Sequence, residues 1–114
     1  MRDPNKYLQG LETKNQLLSS KNDEMIELVK QHAKAEYDYN VAFAEKVLIL
    51  KTDNHPATLI PKLAAGDRVV ADLKMKMVIA EGILNANQNS CKDLRSSIDT
   101  YRSILTWMRE EKRG

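Results

Sequence analysis

The stretch VADLKMKMVIAEGILNANQNSCKDLRSSIDTYRSILTWM, residues 70–108, decides the fold. Within it Val70, Leu73, Met77, Ala80, Leu84, Asn87, Cys91, Leu94, Ile98, Tyr101, Leu105 and Met108 step by three and four without a slip. That is a heptad seam, apolar at every place except Asn87, and such a seam is the mark of a helix packed along one side. Gly66-Asp67 marks its start, because the Asp67 carboxylate can accept from the free amides of a first turn. No proline follows to stop it. The spacing predicts one helix from about 67 to 111, ~67 Å long at the usual rise per residue. Gly82 inside it lowers helix stability by about 1 kcal/mol relative to alanine, which suggests close packing there.

Upstream, Leu8, Leu11, Asn15, Leu18, Asn22, Met25 and Val29 keep the same step, after which Tyr37, Val41, Ala44 and Leu48 carry it one residue out of phase. A phase change between Lys30 and Glu36 predicts a bend or a change of partner there. Ser19 to Asp23 is a second weak point, since Ser, Asn and Asp favour caps over helix interiors. The organisation expected is a single helical domain, residues 1–114. It comprises an N-terminal helical segment 1–22, a first long helix 23–51, a connector 52–66 and a second long helix 67–112. In the connector, His55-Pro56 stops the first helix. Thr58 to Gly66 reads as one short turn of helix, capped by Thr58 or Ile60, with Pro61 in its first turn and Gly66 at its end.

Two long helices with one apolar stripe each fold back on one another. The fold class expected is therefore all-α: a long antiparallel, coiled-coil-like hairpin with a short helical connector. Pairing Lys51 with Asp67 sets Asn87 opposite Gln31 and His32, its candidate hydrogen-bonding partners, and Leu11 near Trp107. Helicity should exceed about three quarters, with no sheet. Near the connector both arms are apolar on more than one face, and a two-helix hairpin covers only one stripe per helix. Phe43, Val47, Ile49, Leu50, Met75, Val78, Ile79 and Ile83 are accordingly expected to form an interface between copies, most simply in a two-fold dimer forming a four-helix bundle.

Composition narrows the function by exclusion. The 114 residues carry 18 Lys+Arg against 16 Asp+Glu, a net charge of +2, too balanced to announce a nucleic-acid binder. Four Gly and three Pro exclude collagen-like and low-complexity classes, and aromatics at 5% disfavour a β-sandwich. The N-terminal residues hold no apolar leader, and the longest charge-free run, Gly82 to Cys91, falls well short of the roughly 20 residues that span a bilayer. The lone Cys91 has no partner for an internal disulfide, which fits a reducing cytoplasm.

Catalytic constellations are not legible. Cys91 on the seam reads as a small buried hydrophobe. His32 and His55 belong to no metal-ligand spacing. Glu24, Glu27, Glu36, Asp38 and Glu45 include no E-x-x-H pair and read as a solvated face. No phosphate-binding glycine loop or nucleophile elbow occurs. An enzyme is not expected, and neither a cofactor nor a metal. Arg95, Arg102 and Arg109 recur every seven residues, joined by Lys92, and read first as coiled-coil flanks that pair with acidic partners. Their functional reading, together with Trp107, is contact with a protein partner or with a phosphate backbone.

At the connector the chain reads Pro56-Ala57-Thr58-Leu59-Ile60-Pro61, then Leu63-Ala64 and Gly66-Asp67, with Ser103-Ile104-Leu105-Thr106-Trp107 near the end. This resembles a group of small helical proteins from tailed phages and prophages of Gram-positive hosts, over about residues 33 to 110. The resemblance implies an accessory protein encoded near replication and recombination genes, and it brings no catalytic residues. The expected function is a non-enzymatic helical interaction module that scaffolds, inhibits or modulates another protein in the host cytoplasm. The alternative is a replication or recombination accessory that touches single-stranded DNA through its basic end.

Overall fold

The computed structural model describes residues 3–113. It is all-helical: α1 spans Pro4–Thr52, α2 Ile60–Gly66 and α3 Arg68–Arg113. Helix accounts for 92% of it, above the three quarters expected, and no strand occurs among the described residues. Contacts divide the chain into two compact units, Met1–Ile26 with Asn85–Gly114, and Glu27–Leu84.

Helix α1 runs unbroken through Ser19 to Asp23. Its far end is closed by backbone chemistry that the sequence foreshadowed only through Pro56. Asn54 takes the left-handed conformation, φ 63°. This lets its own N–H donate to the Lys51 carbonyl (3.1 Å) and the His55 N–H donate to the Leu50 carbonyl (3.2 Å). That pair of bonds is a Schellman closure, with asparagine in the place glycine usually holds. Helix α2 begins after Leu59, which caps it without a side-chain hydrogen bond, in place of the Thr58 or Ile60 expected. Asp67 then starts α3: its carboxylate accepts from the Val70 N–H at 3.2 Å and its carbonyl from the Ala71 N–H at 2.8 Å.

In the unit Glu27–Leu84 the two long helices run antiparallel, with Lys74 over the Tyr39 ring and Lys46 paired to Asp67 at 3.5 Å. Lys46, rather than Lys51, meets Asp67. The last turn of α1 overshoots the start of α3 because it covers α2 instead. Leu50, Ile60 and Ala64 form a buried cluster there, with Phe43 and Val47 packed against it. Every contact along the pair is therefore displaced from the register expected.

In the other unit the helices also run antiparallel. Tyr7 packs on Tyr101 with ring centroids 6.1 Å apart, and Asn22 lies beside Cys91. Gly10 is needed at this crossing: a Cβ there would lie 2.9 Å from the Tyr101 ring. Asn87 is buried, and its Nδ2 donates to the Lys21 carbonyl at 3.0 Å, with Met25 Sδ at 3.7 Å. The partner is thus a backbone oxygen one helical crossing away from the Gln31 and His32 anticipated, a consequence of the displaced register.

The α3 seam is seen as read. Val70, Leu84, Asn87, Cys91, Leu94 and Ile98 are buried and the other six positions half-buried. The α1 seam is different. Tyr37, Val41, Ala44 and Leu48, expected to face inward, are exposed. The inward positions around them are Leu28, His32, Ala35, Tyr39, Ala42 and Lys46, which continue the three-and-four step with no phase change between Lys30 and Glu36. Small alanines and a long lysine stem, which shields apolar surface while its charge stays wet, occupy places where apolarity alone would not look.

Candidate functional surfaces

Of the eight residues expected between copies, three belong to the chain's own core. Leu50 is buried against Ile60 and Ala64, and Phe43 and Val47 pack on that cluster. The correction has a simple cause: α2 folds onto the last turn of α1 and supplies the cover that a second chain was expected to provide. The other five, Ile49, Met75, Val78, Ile79 and Ile83, are about half exposed.

Met75, Val78, Ile79 and Ile83 share one side of α3, opposite the Val70, Leu73, Met77 and Ala80 seam, as their offsets from it require at 3.6 residues per turn. Gly82 sits among them, and a Cβ built on it meets nothing within 4 Å. On α1, Val41, Ala44 and Leu48 form a second outward stripe, likewise opposite their own seam, with Leu48 two-thirds exposed. The sequence signal for both stripes was the all-round apolarity of these segments. Which part of it is inward is set by α2 and the register, which no periodicity carries.

The basic residues fall on the α3 part of the other unit, all exposed. Lys92 and Arg95 border one shallow hollow together with Met25, Gln88 and Cys91. Arg102 and Arg109 border a second with Leu105 and Thr106. Trp107 is half exposed and lines neither. Cys91 is a free thiol, buried, with its Sγ donating to Asn22 Oδ1 at 3.7 Å.

Among the described residues there is no group of three or more His, Cys, Asp or Glu placed to hold a metal ion. Among them too, no helix is long and apolar enough to cross a membrane. No protein-family model matches the chain, and no curated protein or solved structure is significantly similar to it.

Proposed function

We propose that this protein is a non-enzymatic helical interaction module that works in the cytoplasm as an assembly of its own copies and engages a further protein partner, which it scaffolds, inhibits or modulates. The observation that carries the reading is the pair of outward apolar stripes in the unit Glu27–Leu84, on α1 and on α3. Contiguous exposed apolar surface of this kind marks a place where another macromolecule binds. Of the assemblies open to such a chain, the sequence alone favours a two-fold dimer. The phage-type resemblance favours a partner in replication, recombination or defence.

Sedimentation equilibrium over a wide concentration range tests self-association. The expected result is a mass that rises above the 13.0 kDa of one chain. A single species of one-chain mass up to about 1 mM, weaker than any working assembly needs, would overturn the reading. A second reading rests on the paired cations Lys92 with Arg95 and Arg102 with Arg109. Contact with single-stranded DNA through about three to six phosphates would weaken steeply with salt. A fluorescence titration showing no binding at low salt would remove it.

A further inference from the structure

We infer that the outward face of α1 docks antiparallel on the outward face of α3 of a second copy, so that copies join front to back. The inference rests on the self-association reading and names the surfaces that carry it. The α1 stripe steps Val41, Ala44, Leu48 and the α3 stripe Met75, Ile79, Gly82, so both follow a heptad course along exposed faces of one unit. Laid antiparallel in heptad register, Val41 meets the second copy's Gly82, Ala44 meets Ile79, and Leu48 meets Met75. Larger side chains then sit against smaller ones along most of the contact, as close helix packing asks. Gly82 is the position that nothing within the chain explains, because a side chain there would meet open space. A neighbouring helix approaching at Val41 uses that space.

Charge decides between this pairing and its rivals. In the same register Glu45 flanks the contact beside the second copy's Lys76, and Lys51, at the end of the stripe, reaches Asp72. All four side chains are exposed and none makes an ion pair within its own chain. Pairing α1 with α1 so that Val41 meets Ala44 instead sets Asp38 beside Glu45 and Lys34 beside Lys51. Pairing α3 with α3 so that Met75 meets Ile79 sets Lys76 beside Lys76. Flanking charges of this kind select partner and orientation by penalising the wrong pairing. Both like-with-like arrangements are penalised, and the unlike one is favoured.

The mode of assembly follows. A contact that uses a different face on each copy leaves one α1 face and one α3 face open in any pair. Copies therefore add until a ring closes or a filament grows, and a closed two-fold dimer is not the end point.

Two blocked variants test this. Leu48→Glu disables the α1 face and Ile79→Glu the α3 face; both sites are exposed, and circular dichroism checks that helicity is kept. By light scattering after gel filtration, wild type is expected to exceed a dimer, each variant alone to stay a monomer, and an equimolar mixture to form a one-to-one dimer and stop. Charge supports the same logic: Glu45→Lys or Lys76→Glu alone should weaken association about tenfold, and mixing the two should restore it. If Leu48→Glu still associates as wild type does, or the mixture stays monomeric while wild type assembles, the front-to-back contact is wrong but self-association stands. A wild type that stays monomeric overturns both.

Discussion

Gly82→Ala gives two measurements whose signs should differ. Within the chain the new Cβ meets nothing, so the substitution acts only through the backbone. Replacing glycine by alanine in an exposed helix interior stabilises by about 0.8–1.0 kcal/mol, mostly by restricting the unfolded chain. For a helical unit of this size that is a rise of about 4–8 °C in Tm. The measurement belongs in the Ile79→Glu background, where the docking face is already disabled and association does not contribute to the melt. In the wild-type background the same methyl group stands where the second copy's Val41 is placed, and association should weaken. Thermal melts by circular dichroism read the first effect and sedimentation equilibrium the second. A fall in Tm in the monomeric background would show that Gly82 is packed inside the chain, and would refute both halves of the reasoning. Stronger association with alanine at position 82 would refute the docking register alone.

Gly10→Ala should do the opposite, lowering Tm. Its Cβ would lie 2.9 Å from the Tyr101 ring, and overpacking of about 1–3 kcal/mol outweighs the helix-propensity gain; an unchanged melt would mean that the Tyr101 ring swings aside without loss. Asn87→Leu should raise Tm by about 4 °C. It gives up one hydrogen bond of about 1 kcal/mol to a carbonyl that keeps its helical partner, while removing the desolvation of a buried amide and adding apolar contact. A lower melting temperature would show that the bond to Lys21 outweighs both gains. Asp67→Ala should destabilise by about 1 kcal/mol through loss of the α3 cap to Val70, whereas Asp67→Asn, which keeps the cap and loses only the partly exposed Lys46 pair, should cost much less. Equal losses in urea melts would place the stability in the ion pair instead.

The helices themselves were legible because their signals are local. Twelve seam positions in α3, the Asp67 cap and the stop before Pro56 each act within a turn or two of chain, and each is found where the spacing placed it. Register was not legible, because it depends on where α2 lies. Once Ile60 and Ala64 cover Leu50, the last turn of α1 is committed to α2 and Lys46 becomes the residue that meets Asp67. Asn87 then finds the Lys21 carbonyl instead of a side chain near Gln31. The same packing withdrew Phe43, Val47 and Leu50 from the expected interface. Apolarity showed that these residues are covered, and could not show by what.

The misread face of α1 carries more information than the correctly read one. Through the unit Glu27–Leu84 its inward positions include His32, Ala35 and Lys46, whereas its outward positions include Tyr37, Val41, Ala44 and Leu48. Apolar periodicity therefore follows the solvent side of the helix. A lone antiparallel pair has no use for that distribution, since apolar area stabilises only when removed from water. Scattered single residues would need no explanation, but a heptad stripe is the pattern of a helix that meets another helix. Helix α3 repeats the arrangement with Met75, Val78, Ile79 and Ile83 opposite its seam, and spends a helix-weakening glycine in their midst. The position at which sequence reasoning failed is thus the one where the chain's composition answers to something outside the chain. The opposite charges flanking the two stripes make a second copy the occupant that satisfies both.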